Sequence, residues 1–168
     1  TLGSDGKSIP PCGGMADSDG GMVTCDVAGG GGDSATAGRD YYYEAGTKAE
    51  PRVLSAGRGN DTIALVFGRT IDLRERLLTG SGKDSFFSIE NVDGSIDDDV
   101  IRGDDADNVL RGSWGNDLIE GRAGRDTLLG DKGEDDLDGG EDDDYLDGGP
   151  GTDTCANGED LHNCEVIR

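Results

Sequence analysis

Apolar residues in the C-terminal half of the chain recur once in every nine positions, with glycines and polar residues between them. Residues 94–165 divide into eight nine-residue units without an insertion, and position 8 of each unit is the consistently apolar one. Its occupants are Ile101, Leu110, Ile119, Leu128, Leu137, Leu146, Cys155 and Cys164. A fixed short period of this kind is the signature of a solenoid, in which each unit stacks on its neighbours.

The spacing favours strands over helices. One apolar residue in nine is too sparse for an amphipathic helix, which needs three or four in two turns. Glycine at position 1 of seven units, from Gly94 to Gly148, weakens a helix further. The pattern is typical of a very short strand around position 8, whose middle side chain points inward, followed by a six-residue turn. We therefore predict an all-β fold.

Two units make one coil of eighteen residues, so residues eighteen apart are expected to stack on the same parallel sheet. One sheet is predicted to contain Ile101, Ile119, Leu137 and Cys155, and the other Leu110, Leu128, Leu146 and Cys164. Burial of one Ile or Leu per unit contributes roughly 1.5 to 3 kcal/mol, against about 1 to 2 kcal/mol of backbone entropy for every residue fixed. Hydrophobic burial alone cannot hold such a fold.

Position 6 of the units bears a side-chain oxygen in seven cases. These residues are Asp99, Asn108, Asp117, Asp126, Asp135, Asp144 and Asp153. Stacked one coil apart, about 4.8 Å between strands, their carboxylates repel one another unless a cation lies between them. Calcium suits this position, because it accepts six to eight oxygen ligands, including carboxylates and the carbonyls that glycine-rich turns expose.

The nine-residue unit is similar to the GGxGxDxUx nonapeptide of the RTX, or hemolysin-type calcium-binding, β-roll family. The resemblance implies that position-6 side chains and turn carbonyls of two turns one coil apart share one calcium ion. It predicts about five such sites. The implied pairs are Asp99 with Asp117, Asn108 with Asp126, Asp117 with Asp135, Asp126 with Asp144, and Asp135 with Asp153.

Several units depart from the family pattern. Asp97, Ala106 and Asp142 replace glycine at position 4, Asn108 bears no charge, and His162 ends the series of acids at position 6. The turns between Asp117 and Asp153 remain nearest to the family pattern.

Two single units precede the regular array. Residues 56–64 form one unit with Asp61 at position 6 and Ile63 inside, and residues 79–87 form another with Asp84 at position 6. The period breaks between them. We expect longer, irregular coils over residues 51–93 that continue the same right-handed parallel β-roll, regular coils with a locked C-terminal cap over 94–168, and a glycine-rich cap or arm over 1–50.

The four cysteines are even in number, which suggests two disulfides and an oxidising, extracytoplasmic setting. Cys155 and Cys164 lie half a coil apart and both point inward, so we expect a disulfide between them that fixes the final coil. Cys12 is then expected to pair with Cys25. Two alternatives remain: free thiols that pack in the core, or a zinc site formed by Cys155, His162 and Cys164.

The charge of the chain limits its partners. The formal net charge is −22, which disfavours nucleic acids and anionic membranes and favours divalent cations. Without cations, repulsion is expected to keep the repeats unfolded, so metal binding and folding are one event. The sequence contains no apolar run long enough to span a membrane. We expect a secreted or cell-surface protein, exported by a general pathway.

We expect no enzymatic activity. The single histidine, His162, has no nucleophile arranged around it, and residues 80–84 (GSGKD) lack the spacing of a phosphate-binding loop. The leading hypothesis is a structural calcium-binding protein. The alternatives are a self-assembling filament, surface-layer or matrix subunit, and an adhesin that binds glycans through Trp114 and the tyrosines at 41–43.

Overall fold

The computed structural model describes residues 23–26, 40–44, 53–55, 60–65, 67–79 and 83–168, and every regular element in these ranges is a β-strand. Within the same ranges, no helix is long and apolar enough to cross a membrane. The strands are β1 (Val23–Asp26), β2 (Asp40–Glu44), β3 (Val53–Ser55), β4 (Thr62–Leu65), β5 (Thr70–Asp72), β6 (Leu77–Thr79), β7 (Lys83–Phe87), β8 (Asn91–Asp93), β9 (Val100–Arg102), β10 (Val109–Trp114), β11 (Leu118–Ala123), β12 (Thr127–Lys132), β13 (Asp136–Glu141), β14 (Tyr145–Asp147), β15 (Thr154–Ala156), β16 (Asp160–His162) and β17 (Val166–Ile167).

The strands form two sheets, and from β8 onward consecutive strands alternate between them. One sheet has the order β1-β2-β4-β8-β10-β12-β14-β16, and the other β17-β15-β13-β11-β9-β5-β6-β7-β3. Neighbours in the regular region are parallel and eighteen residues apart, as Leu110 is from Leu128 and Ile119 from Leu137. The predicted all-β parallel solenoid is therefore confirmed.

The core consists of two columns of side chains, one from each sheet, that lie between the sheets. Strand pairing aligns Ile63, Val92, Leu110, Leu128, Leu146 and Leu161 in one column, and Ile71, Ile101, Ile119, Leu137, Cys155 and Ile167 in the other. From Leu110 to Cys155 these side chains have no accessible surface. One inward residue per nine is thus sufficient to form a continuous but thin core.

Backbone geometry at the turns explains where the longer strands end. Strands β10 to β13 run from position 7 of one unit to position 3 of the next. The residues at position 4 that follow two of them, Gly115 and Gly124, have φ values of 112° and 102°. Glycine adopts this left-handed conformation without steric cost, so it ends the strand and turns the chain toward the other sheet.

The irregular region differs from the purely parallel coils that the sequence predicts for residues 51–93. β5 and β6 pair antiparallel, with Ile71 opposite Leu78, and β6 and β7 are also antiparallel. The paired residues Ile63 and Val92 lie 29 residues apart instead of eighteen. The additional chain forms adjacent strands with short connections, which only antiparallel pairing allows. Parallel stacking persists where β4 meets β8 and β5 meets β9.

The described strands among the first 50 residues extend one sheet. β2, which contains the tyrosines at 41–43, pairs in parallel with β4, and β1 pairs antiparallel with β2. Cys12 lies outside the described residues, so its predicted bond to Cys25 stays a prediction.

The last coil corrects the predicted register. Leu161, and not Cys164, lies opposite Leu146, and Ile167 lies opposite Cys155. The last coil therefore advances by fifteen and twelve residues in the two sheets. Cys164 is displaced to a partly buried place beside the column and forms a disulfide with Cys155, with their Cα atoms 5.8 Å apart. This bond removes the free-thiol and zinc alternatives for the pair.

Candidate metal centre

The side chains at position 6 are buried although most of them are acids. The accessible fraction is between 0 and 2% for Asp61, Asp99, Asn108, Asp117, Asp126, Asp135, Asp144 and Asp153. Carboxylates are almost never fully buried unless they are paired or coordinate a cation. Two stacked rows of buried acids, one beside each sheet, therefore need a compensating partner.

From Asp117 to Asp153, one carboxylate oxygen of each acid at position 6 accepts a hydrogen bond from the backbone. Oδ1 of Asp117 accepts a hydrogen bond of 2.8 Å from the backbone N–H of Asp99, one coil earlier. The same bond, also 2.8 Å long, is accepted by Asp126, Asp135, Asp144 and Asp153. Each acid therefore links its own turn to the preceding turn of the same row and fixes the eighteen-residue register.

The second oxygen of these acids has no such partner. Oδ2 is buried in each case and has no hydrogen-bond partner among the residues that the structure describes, for Asp117, Asp126, Asp135, Asp144 and Asp153. A buried polar atom left without a partner costs about 1 to 3 kcal/mol, and more if it is charged. Five such oxygens in register indicate that a cation completes their coordination.

Glycine at position 1 leaves room beside each unpartnered oxygen. A Cβ atom added to Gly130 would lie 2.5 Å from Oδ2 of Asp135 and 2.5 Å from the carbonyl oxygen of Gly148, one coil later. A carboxylate oxygen and a carbonyl oxygen from successive coils therefore face the same small space. Gly121 and Gly139 have equivalent surroundings. Any larger residue at position 1 would fill this space.

Burial makes the ionised form of these acids unfavourable in the absence of a cation. Desolvation, with a smaller contribution from neighbouring carboxylates and against a lowering by the backbone hydrogen bond, raises the pKa of Asp117 and of Asp126 to about 7 and that of Asp135 to about 6. Burial likewise raises the pKa of Asp144 and Asp153. A bound cation would relieve both the desolvation and the repulsion.

The available ligands fit calcium. In the described part of the chain, no three acidic, histidine or cysteine side chains converge on one point, so carboxylates alone do not form a site. The turns instead offer carboxylate oxygens together with backbone carbonyls, a hard, oxygen-only set that suits calcium. Zinc requires histidine or thiolate ligands, and Cys155 and Cys164 are bonded to each other.

A parallel solenoid of nine-residue units, two to a coil, with buried acids in its turns belongs to the class of β-rolls. The family model for the RTX calcium-binding nonapeptide repeat matches four copies in this chain, over residues 53–64, 93–128 and 120–155. These repeats therefore belong to the RTX calcium-binding family, and the fold fits a structural β-roll that binds calcium. Comparison with curated proteins finds no match.

The first two regular units differ from the later ones. Asp99 accepts backbone hydrogen bonds at both oxygens, from Arg69 to Oδ1 and from Ser95 to Oδ2, each 2.6 Å long. Asn108 donates from Nδ2 to the carbonyl oxygen of Glu90, at 3.0 Å, and accepts at Oδ1 from the N–H of Asp104, at 2.9 Å. Protein groups thus satisfy both side chains.

The two predicted residues outside the regular array have different surroundings. Asp61 is buried two positions before Ile63, at the beginning of one row. Asp84 lies within β7, opposite Leu78 of an antiparallel neighbour. This pairing puts Asp84 outside the rows of stacked parallel turns, because its strand belongs to the antiparallel insertion.

Three glutamates that sequence analysis overlooked continue the rows. Their Oε2 atoms accept backbone N–H bonds of 2.8 to 2.9 Å one coil earlier: Glu90 from Asp61, Glu159 from Asp144, and Glu165 from Asp153. Each lies two positions before an aliphatic residue that strand pairing aligns with one of the two columns, as position 6 lies two before position 8. The sequence signal for these glutamates is an acid two residues before an aliphatic residue, here Val92, Leu161 or Ile167. A strict nine-residue count misses it, because these three pairs lie outside the regular register.

A cleft lies on the surface of the regular roll, away from the rows. It has a volume of about 340 Å³ and is lined by Arg111, Ser113, Trp114, Asp131, Lys132 and Pro150. Trp114 is 55% exposed, and the ammonium of Lys132 lies 3.9 Å from the centre of its ring. One face of the indole is therefore already covered by a side chain of the same protein.

Proposed function

We propose that this chain is a structural calcium-binding β-roll whose regular coils fold when calcium neutralises their buried acids. The five buried, unpartnered Oδ2 atoms from Asp117 to Asp153 support this proposal most directly. Calcium supplies positive charge between successive turns and thereby removes the desolvation and repulsion that oppose folding.

The proposed ligands are the position-6 acids and the carbonyl oxygens of position 1 one coil later. For Asp126 and Asp135 the carbonyls belong to Gly139 and Gly148. One unpartnered oxygen per turn is compatible with the expected number of about five ions. Asp61 begins a row and remains a candidate ligand, whereas Asp84 lies outside the rows.

We propose an extracellular location and a structural role without catalysis. Proteins with RTX repeats are typically secreted by bacteria, and the disulfide between Cys155 and Cys164 suits an oxidising compartment. A chain that folds only with millimolar calcium would remain unfolded inside the cell and fold outside it. Within the chain, we propose a cap or arm at 1–50, irregular coils at 51–93 and the regular roll at 94–168.

Circular dichroism during a calcium titration of chelator-treated protein tests the proposal. We expect β-structure to increase cooperatively with calcium, with magnesium at equal ionic strength as the control, because magnesium retains its water and fits poorly among carbonyls. A spectrum indifferent to both ions would contradict the proposal.

Self-assembly is a second candidate. The two sheets end at β16 and β17, each with an unpaired edge among the described strands, and Val166 and Ile167 of β17 are 45% and 65% exposed. Unpaired edges with apolar side chains favour addition of another strand. Sedimentation velocity in calcium separates the candidates: a monomer at all concentrations excludes assembly.

A glycan-binding role through Trp114 has less support, because Lys132 covers one face of the ring.

A further inference from the structure

Buried acids are compensated differently at the two ends of the regular roll. In the N-terminal block, defined as residues 67–79 and 83–111, protein hydrogen bonds satisfy Asp99 and Asn108 completely. In the C-terminal block, residues 112–168, every position-6 acid retains a buried oxygen without a hydrogen-bond partner among the described residues. Within the regular units at 94–165, the need for an external cation therefore begins with Asp117.

Arg122 reaches from the C-terminal block into the N-terminal block. Its Nη1 donates to Oδ1 of Asp72 at 2.9 Å and to the carbonyl oxygen of Gly103 at 2.7 Å, and its Nη2 donates to Oδ2 of Asp72 at 2.6 Å. The two side chains are only 21% and 14% exposed. The guanidinium thus bridges a carboxylate on β5 and a turn carbonyl one coil before its own turn.

The carbonyl oxygen of Gly103 corresponds to the position-1 carbonyl oxygens that face unpartnered carboxylate oxygens in the C-terminal block. Gly103 occupies position 1 of its unit, as Gly139 and Gly148 do in theirs, and those two contribute proposed calcium ligands. At Gly103 a fixed positive charge from the protein already contacts the carbonyl. By the same geometry the acid that this carbonyl would face is Glu90, one coil before Asn108, and its Oε2 accepts the backbone N–H of Asp61. Since Asn108 itself is neutral, this turn needs less external charge.

The backbone conformation at Arg122 makes glycine a suitable substitution for testing the role of its side chain. Arg122 has φ of 85°, in the left-handed region that Ser113, Asp131, Gly140 and Gly149 also enter at the same unit position. A non-glycine residue in this region is strained unless its surroundings compensate. Glycine would remove the strain, but it would also remove the guanidinium.

We propose that Arg122 acts as a built-in cation that replaces calcium at the start of the roll. The N-terminal block then folds without calcium and serves as the template on which calcium orders the C-terminal block, turn by turn from Asp117. This inference rests on the proposed function, because it concerns which turns of the same rows require the metal.

Hydrogen exchange measured by mass spectrometry on the whole chain separates the two proposals. In chelator we expect slow exchange in residues 88–111 and fast exchange in residues 136–162, and calcium should slow the second segment. Fast exchange of both segments in chelator, with both slowed by calcium, would overturn the template but leave the calcium-dependent fold intact. Exchange unaffected by calcium in either segment would overturn both.

Substitution by glycine tests the role of Arg122 against backbone strain. In chelator, Arg122→Gly should accelerate exchange of residues 88–111 about tenfold or more, since it removes three charge-assisted hydrogen bonds. The matched control is Ser113→Gly, at the same unit position with φ of 79°. The control should leave exchange of this segment unchanged or slow it. Slower exchange in Arg122→Gly than in the wild type would overturn the inference.

A second variant distinguishes loss of the Arg122 contact from general misfolding. Asp72→Asn keeps the backbone of Arg122 unchanged but removes its charged partner, so it should accelerate the same exchange in chelator. Both variants should recover the wild-type circular dichroism spectrum in saturating calcium and require a several-fold higher calcium concentration at the midpoint. An unchanged midpoint in both variants would contradict the role of Arg122.

Discussion

The irregular coils and the regular coils of this protein share two aliphatic columns, but they are stabilised differently. Around the irregular coils the core also contains Leu65, Leu73, Leu78, Phe86 and Ile89, all buried. In the regular coils the core narrows to one residue per unit, and the acids at position 6 from Asp117 to Asp153 retain unpartnered oxygens. Next to the irregular coils, protein groups satisfy Asp99 and Asn108, and farther along the thin core an external ion is needed.

The largest expected effect comes from shortening one side chain in the aliphatic columns of the regular coils. Leu137→Ala should lower the free energy of unfolding in calcium by about 3 to 4 kcal/mol, because it leaves a cavity in a core with few other contacts. Chemical denaturation in calcium, followed by circular dichroism, measures the change. The control Val109→Ala, at a side chain that is 41% exposed, should change it by less than about 0.5 kcal/mol. Equal effects would contradict a column core.

Without metal, acid should stabilise the regular coils more than the irregular ones. The pKa values of Asp117 and Asp126 are about 7 in the folded chain, whereas an unfolded aspartate titrates near 4. The folded state therefore binds more protons between these values, so its stability rises as pH falls from about 7 toward 4 and is lowest above 7. Calcium affinity should fall over the same range, since protons compete for the ligands.

Thermal unfolding in metal-free buffers from pH 8 to pH 5, prepared without a chelator that itself titrates, measures the pH effect. A variant with Asp117→Asn, Asp126→Asn and Asp135→Asn serves as the control and should lose most of the dependence. A melting temperature that decreases steadily from pH 8 to pH 5 would contradict the direction of these pKa shifts.

Reduction of the disulfide should loosen only the end of the regular roll. Cys155 and Cys164 are nine residues apart, and a closed loop of this length contributes roughly 2 to 3 kcal/mol. Mild reduction in calcium should therefore accelerate hydrogen exchange in residues 154–168 and leave residues 109–132 unchanged. Loss of protection along the whole chain would show that the bond has a wider role.

A single neutralised acid should have the smallest effect, and its sign should depend on calcium. Asp135→Asn removes a buried charge, so it should stabilise the metal-free chain, yet it should weaken calcium binding about tenfold, or roughly 1.4 kcal/mol. Asp99→Asn is the matched variant in the N-terminal block and should leave the calcium midpoint unchanged. Calorimetric titration compares the two, and equal calcium affinities would remove the distinction between the blocks.

Much of the regular roll could be predicted from sequence because its period is tied to geometry. A nine-residue unit with one apolar position predicts both columns from Ile101 to Leu146 and both rows of acids. The register failed at the end, where Leu161 takes the place expected for Cys164 because the coil shortens. A fixed period cannot predict such a deletion, although the spacing of Glu159 from Leu161 reveals it.

The antiparallel insertion and the satisfied acids were beyond sequence reasoning for a different reason. The pairing of Ile71 with Leu78 depends on contacts between strands, and not on a period. Asp99 resembles Asp117 in sequence, but only the path of the chain near Arg69 and Ser95 brings backbone donors to both of its oxygens.

The link between each acid and the turn one coil earlier determines how such a roll can change length. Because the link spans eighteen residues, a duplicated or deleted pair of units preserves every link and returns each terminal strand to its own sheet. Gain or loss of a single unit would instead move each terminal strand to the opposite sheet, together with the link that Glu159 or Glu165 makes. Variants of this protein should therefore differ in length by multiples of eighteen residues between these fixed ends.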